Sequence, residues 1–484
     1  MKKIIKITIV SLASFSMFTA CVDLEEKPSS LLSPETFFSS EKDFESAVIG
    51  VYQPLFGAYS GFDFGDPLCG GAGADDIGAS APRWQQYDNF TETTSNDVNN
   101  KLWAMFYKSI TNANSIIGNA GKASGIPQAK IDEFEGQARF LRAFDYFHLT
   151  QYFGEVPLIT FENQGKADKV GQSPVADIYA LIIEDLKFAE ESLPVSFPDK
   201  GRATKGAAKT LLAEVYLTMA CWPIEDPAMY ALAKAKAKEV MDMGVYSLEP
   251  DFADLWKVSK KFTNKESIFA FYGISSGGWI PASHLHVATR PSVEWGWGDF
   301  HSEARFYNAF PNGYRKNISF HTQFTDGSTW LDNNPKQPFI AKYRDGGDGV
   351  GNDGEGAVMM YRYAEVLLIY GEAANMSENG PSADALKAIN MVRRRANHLD
   401  PNVPNVGIDL PSGMSKTNFD KAVIAERAWE LAFENKRWFD LVRKKMVVEV
   451  NAALYPNVSE KNKWLPKPAL QVQLTEGLEQ NEGY

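Results

Sequence analysis

The chain has 484 residues, a formal net charge of −12 and a hydrophobic share of 44%. This length and apolar share supply a large core, and the acidic balance disfavours nucleic acid and anionic membrane surfaces as partners. Three cysteines exclude a disulfide framework.

At the start, Lys2, Lys3 and Lys6 precede an apolar run that ends in Met17-Phe18-Thr19-Ala20-Cys21. A basic start, an apolar core and small residues before a cut describe a secretory signal. A cysteine directly after the cut is what a bacterial lipoprotein signal requires, because its thiolate takes a diacylglycerol. Residues 1–20 are therefore expected to be a lipoprotein signal peptide, Cys21 the lipidated residue and 21–40 a tether. Several acyl chains anchor stably where one does not. With Cys21 lipidated, Cys69 and Cys221 remain, and the sequence does not decide whether they pair. No later segment strings together the roughly 18 apolar residues of a membrane span.

Helical periodicity runs from Glu41 to Tyr52 and lapses over 57–100, where Gly, Asp and Asn alternate with aromatics: Gly70-Gly-Ala-Gly-Ala-Asp75-Asp76, then Trp84, Tyr87 and Phe90. Long loops of this composition often carry function. Helix returns at 101–120 and 131–153. Residues 173–220 read as a helix hairpin, with Ser173 as the first cap, Pro174 in the first turn and Thr204 as the second cap. A second hairpin is expected from Tyr361–Met376 and Ala383–Ala396. Hairpins of this size are tetratricopeptide-like, without a strict repeat of about 34 residues. Between them, 261–356 is an irregular insert rich in Gly, Trp, Asn and Pro. Helix resumes from 357 to about 455, and the tail from Trp464 is extended.

Motifs for catalysis or cofactor binding are weak. Gly349-Val-Gly351-Asn-Asp-Gly354 has a nucleotide-loop pattern, but Asp345, Asp348, Asp353 and Glu355 would repel phosphate, so a solvated turn is expected. Its spacing also misses the EF-hand pattern. His284 and His286 lack the neighbours of a zinc site, and no Gly-x-Ser-x-Gly elbow exists. No cofactor or metal is expected. Glu365, Glu372, Glu426, Glu430 and Glu434 lie on apolar helices near Arg362, Arg393, Arg394, Arg395, Arg427, Arg437 and Arg443. Carboxylates on buried helices need cationic partners, so these are expected to be structural ion pairs.

Several stretches carry a resemblance. They are Leu102-Trp103 with Tyr107, Ile110 and Asn112-Ala113-Asn114; Gln137–Ala143 with Tyr146-Phe147; Tyr361–Leu368 with Glu372–Asn375; Ile424–Arg443; and the terminal Gln480–Tyr484. In order and across nearly the whole mature chain, they resemble the SusD/RagB family of outer-membrane lipoproteins. Asn435 departs from the family's usual Gly, and Glu482 from its usual Pro. The acidic Val22–Glu26 resembles the export signals of surface lipoproteins in Bacteroidetes, and reads equally as a solvated linker.

The resemblance implies a mainly α, SusD-like fold with tetratricopeptide-like hairpins and an irregular, loop-rich ligand-facing lobe. Residues 41–484 would then form one domain, its scaffold made of about 41–260 and 357–484, with the variable insert at 261–356. It also implies an outer-membrane lipoprotein facing the cell exterior, which captures oligosaccharide or polysaccharide without catalysis and acts as lid on a SusC-like TonB-dependent transporter. Sugar C–H faces stack on aromatic rings while hydroxyls seek Asp, Asn, Gln and Arg. Both classes occur in the two loop regions. The expected ligand residues are Asp75, Arg83, Trp84 and Tyr87 in the first region and Trp279, Trp295 and Trp297 in the second, with Gln85, Gln86, Glu294 and Asp299 beside them. These loops are expected to meet as one shallow aromatic face, with Trp84 as one platform and Trp279 or Trp295 as another. Three alternatives stay open: a peptide-capturing lid of the same fold, a surface glycosidase using a carboxylate pair, and a helical protein-interaction scaffold.

Overall fold

The computed structural model describes residues 37–60, 73–273, 284–346 and 354–484. Cys21, the tether up to residue 36, Cys69, Trp279 and most of the 349–354 loop lie outside them.

Helix dominates, as the sequence pattern predicts. In α1 (Glu41–Ser60), Phe44, Val48, Val51 and Leu55 recur at helical spacing and are fully buried. After β1 (Ile77–Ala79) and the short α2 (Pro82–Asp88) comes α3 (Asp97–Ala120), capped by Asn96, whose side chain accepts from the Val98 N–H at 2.8 Å. Next, α4 (Gln128–Phe153) is apolar around most of its circumference, with Phe140, Leu141, Phe144 and Phe147 at 0% exposure. That composition places it centrally, packed between α3 and α5 (Val175–Ser192). Its Arg142 forks onto Asp185 of α5 at 2.8 Å and reaches Asn114 of α3 at 2.8 Å, locking three helices together. Thr204 caps α6 (Lys205–Met219) by accepting from the Ala207 N–H, as expected, and α7 (Met229–Asp242) follows. Ser173 does not cap α5: it pairs with Val156 in a two-residue ribbon, leaving Pro174 at the cap position.

The remaining strands form two-stranded antiparallel ribbons: β1 with β3 (Phe300–Ser302), β2 (Ser267–Tyr272) with β6 (Ala357–Arg362), and β4 (Phe320–His321) with β5 (Phe339–Ile340). Residues 357–362 are therefore strand where helix was expected. The run Ala-Val-Met-Met-Tyr-Arg is buried from Val358 to Arg362 and pairs with β2, so helix α8 (Tyr363–Ser377) begins only after it. α8 packs on α7, α9 (Ala383–Ala396) and α10 (Lys416–Glu430), and α11 (Arg437–Arg443) follows. One contiguous hydrophobic cluster runs through both scaffold segments.

The predicted ion pairs lie inside this core. Glu430, 0% exposed, takes Arg315 at 2.6 Å, Arg362 at 2.6 Å and Arg395. Glu434 takes Arg362 and Lys342, each at 2.7 Å, and Glu266 takes Arg362 at 2.7 Å and Arg395 at 2.6 Å. Burial opposes the Glu430 charge, but Arg395, Arg362 and Arg315 hold its carboxyl far below the usual range. Arg315 and Lys342 come from the insert, so the irregular lobe is ionically fastened to the scaffold helices.

Candidate ligand-binding site

The β1–β3 ribbon brings the two aromatic loop regions together: Ile77 pairs with Ser302, Gly78 with His301 and Ala79 with Phe300. The first region is also clipped to the scaffold. Asp75 forks onto Arg437 at 2.6 and 2.9 Å, and the Phe433 N–H donates to Asp76 Oδ2 at 3.0 Å. Burial, followed by the Phe433 bond that opposes it, leaves the Asp76 carboxyl raised to about 7.

This placement corrects three of the expected site residues. Asp75 spends its carboxylate on Arg437 and acts as an anchor. Trp84 is 5% exposed: its ring lies 4.8 Å from Phe300 and carries the Arg83 guanidinium 4.0 Å from its centroid. It is core, because α2 turns its apolar face toward the β1–β3 ribbon. Tyr87 is buried too, and its hydroxyl donates to Asn99 Oδ1 at 2.6 Å. Arg83 is exposed above Trp84, near the half-buried Asp299, whose carboxyl burial raises and Arg83 lowers.

The second region presents a different picture. Trp295 is 92% exposed, far beyond every other large apolar residue of the insert's described part. Its backbone is left-handed, φ 63° and ψ 24°, a conformation non-glycine residues adopt at a cost. The turn is held by backbone bonds: Trp295 N–H to Ser292 O at 3.1 Å, Gly296 N–H to Pro291 O at 3.0 Å, and Trp297 N–H to Val287 O at 2.8 Å. Only glycine fits at 296, where a Cβ would sit 2.0 Å from Arg290 O. Trp297 is half-buried and stacks on His284, with centroids 5.7 Å apart and planes at 17°.

Beneath Trp295, the buried Glu294 is a hub that sequence reasoning placed beside the ligand residues but did not read as a support. Its Oε1 accepts the Thr325 N–H at 2.9 Å, and its Oε2 accepts from His321 Nε2 at 2.9 Å and Arg344 Nη2 at 3.0 Å. Arg344 Nη1 lies 3.0 Å from His321 Nδ1. Burial and the neighbouring Arg344 lower the His321 pKa, favouring the neutral ring. Neutral imidazole then donates from Nε2 to Glu294 and accepts at Nδ1 from Arg344. Burial raises the Glu294 carboxyl, but Thr325, His321 and Arg344 together hold it below the usual range. These three partners come from residues 321–344, far along the chain, and no local pattern joins them. The result is an aromatic face in solvent on an immobilised turn, suited to stacking on an apolar ligand face.

Among the described residues no cluster of metal-binding side chains occurs, and no helix is long and apolar enough to cross a membrane.

Comparison with known proteins agrees with this architecture. Residues 295–484 match the SusD family, and residues 24–217 match a family described as "Starch-binding associating with outer membrane". SusD-like protein P2 of Formosa agariphila is 31% identical over 457 residues, covering 89% of either chain. A SusD homolog from Bacteroides thetaiotaomicron superposes with a TM-score of 0.81 at 24% identity, covering 93% of this chain and 98% of that one. A solved laminarin-binding SusD-like protein has a TM-score of 0.76 at 25% identity, covering 92% of this chain and all of the other (100%). The paired loop regions, the helical hairpins and these matches together show that the chain belongs to the SusD family.

Proposed function

We propose that the protein is a non-catalytic lipoprotein that captures oligosaccharide or polysaccharide at the cell surface and acts as lid for a SusC-like TonB-dependent transporter in the outer membrane. The observation that carries the capture step is Trp295, 92% exposed on a turn that holds it in a costly conformation. A ring that is not core and is still held rigidly has its stacking geometry set in advance, which reduces the ordering cost of binding. The laminarin-binding relative supports a glycan as the ligand. In this reading Trp295 is the platform and Trp297 and Arg83 are further ligand contacts, while Trp279 lies outside the described residues. Cys21 carries the lipid, and residues 41–484 act as one domain.

Catalysis has no part in this reading. Asp88 and Glu303 are electrostatically coupled carboxyls, but they are 8% and 4% exposed. Glu303 is engaged by Tyr455 at 2.5 Å and Arg305 at 2.6 Å, and the Ala79 N–H approaches Asp88 at 3.4 Å. A polymer has no access to a pair so enclosed.

A glycan array on the mature protein, followed by calorimetry with the best ligand, tests the capture step. Loss of binding in Trp295→Ala supports it, and parent-like binding removes Trp295 from the site. Gentle solubilisation from the native host should recover the protein with a large outer-membrane barrel. Consistent recovery as a free lipoprotein would refute the lid role.

A further inference from the structure

We propose a second saccharide-binding surface, selective for acidic sugars, on the scaffold face formed by the turn between α5 and α6, helix α1, and strand β2 with the loop before it. Two adjoining clefts of about 620 and 280 Å³ open there. They share one wall, made by Asp199, Lys200, Phe262 and Tyr272. None of the residues assigned to the Trp295 region lines either cleft.

The wall is aromatic. Phe262 is 47% exposed, and its ring lies 5.2 Å from Tyr272 at 39°. Tyr52 and Phe56 of α1 face the larger cleft. With Ile49, 55% exposed on the same cleft, these rings form a contiguous apolar wall, and such walls mark contact surfaces.

The rim is cationic, although the whole chain carries −12. Lys200, Arg202, Lys261 and Lys265 line the clefts, and Asp199 is the one carboxylate among the described lining residues. Arg202 already neutralises Asp199 at 3.2 Å and also holds Glu45. Lys261 is fixed by the carbonyls of Gly273 at 2.8 Å and Glu355 at 3.0 Å and pairs with the Glu355 carboxylate at 3.7 Å, its ammonium 5.1 Å from the Phe262 ring centre. Lys200 and Lys265 are exposed and form no ion pair among the described residues. Two free ammonium groups thus flank an aromatic ridge.

That combination discriminates between ligands. A neutral glucan uses the ring but gains nothing from the lysines. A simple anion uses the lysines but not the ring. A sugar with a carboxylate or sulfate uses both, stacking its C–H face on Phe262 while its charge meets Lys200 or Lys265. The ammonium groups of Lys200 and Lys265, unpaired among the described residues, also attract such polymers on an otherwise acidic protein.

The test uses the full mature chain in affinity electrophoresis and calorimetry. The probes are an oligogalacturonate, a sulfated galactan oligosaccharide, a neutral β-glucan oligosaccharide and a polyglutamate peptide. The parent should bind an acidic saccharide, and more weakly at about 0.5 M than at about 0.05 M salt. Lys200→Glu combined with Lys265→Glu should weaken that binding by at least about tenfold, and Phe262→Ala should weaken it too. All three positions are exposed, so unchanged melting is expected and confirms that the loss is local. Trp295→Ala should leave acidic-saccharide binding intact, whichever way neutral-glucan binding turns out. No acidic saccharide bound at low salt would overturn the proposal. So would binding indifferent to the lysine variants, binding lost in Trp295→Ala, or polyglutamate bound as tightly as the saccharides.

Discussion

Replacing Trp295 with both Ala and Gly separates the strain of its turn from the use of its ring. The ring is 92% exposed, so folding gains little from its burial. The left-handed backbone, φ 63°, costs any residue with a Cβ about 1 kcal/mol. Alanine keeps that strain and glycine relieves it, while glycine's looser unfolded chain takes back about 0.5 kcal/mol. Trp295→Gly should therefore equal or exceed Trp295→Ala in stability, by up to about 0.5 kcal/mol. Binding should follow the ring. Covering one face of about 100 Å² is worth about 2.5 kcal/mol at 25 cal/mol per Å², before polar desolvation. A net loss of about 1–3 kcal/mol, roughly 5- to 150-fold in Kd, is expected in both variants. Urea unfolding and calorimetry with the array-selected glycan measure the two effects. A glycine variant clearly less stable than the alanine variant would refute the strain argument. Parent-like affinity in both would refute the platform.

Other perturbations have equally definite outcomes. Glu430→Ala leaves Arg315, Arg362 and Arg395 short of a counter-charge and should cost about 3–5 kcal/mol in chemical denaturation; an unchanged midpoint with lost glycan binding would make it a site residue instead. Trp84→Ala should destabilise by about 3–5 kcal/mol, because it empties packing against Phe300; a stable variant with selectively lost binding would restore Trp84 as a platform. Burial, with the Glu303 carboxylate beside it, raises the Asp88 pKa to about 7. The native state then holds a proton that the unfolded chain releases near pH 4. Its contribution to stability is full below about pH 4 and is lost as pH rises toward 7. Asp88→Asn should make that part of the stability–pH curve less steep, Asp76 keeping its own share, and an unaltered slope would refute the assignment.

The helical scaffold was legible because its signals are local. Thr204 does cap α6, and the carboxylates spaced along α8 and α10 do find arginines in the core. Asn435, which departs from the family's usual glycine, has φ 56°. Asparagine is one of the few other residues that tolerate the left-handed region, so the exchange keeps the turn. The errors arose where tertiary pairing overrides local pattern. Residues 357–362 lack a decisive period, and pairing with β2 makes them strand. The fate of each tryptophan was illegible for a similar reason. Trp84 and Trp295 sit in equally irregular sequence, but a ribbon covers one and a glycine-locked turn exposes the other. Composition placed both loop regions on the ligand face, and the β1–β3 ribbon does join them, yet exposure is decided by partners distant in the chain.

The neck of the insert bears on how this scaffold changes ligands. Tyr272 pairs with Ala357, and the Gly273 N–H donates to Gly356 O at 3.0 Å. The chain thus leaves the scaffold and returns to it at one point, which is the geometry of a replaceable cassette. The cassette is not free of obligations. It supplies Arg315 to Glu426 and Glu430, and Lys342 to Glu434, so a foreign insert without these cations strands buried carboxylates in the scaffold. Recombination between relatives is thereby restricted to inserts that carry the same two plugs. The Trp295 ring, 92% exposed, takes no part in these ion pairs and is not bound by that requirement.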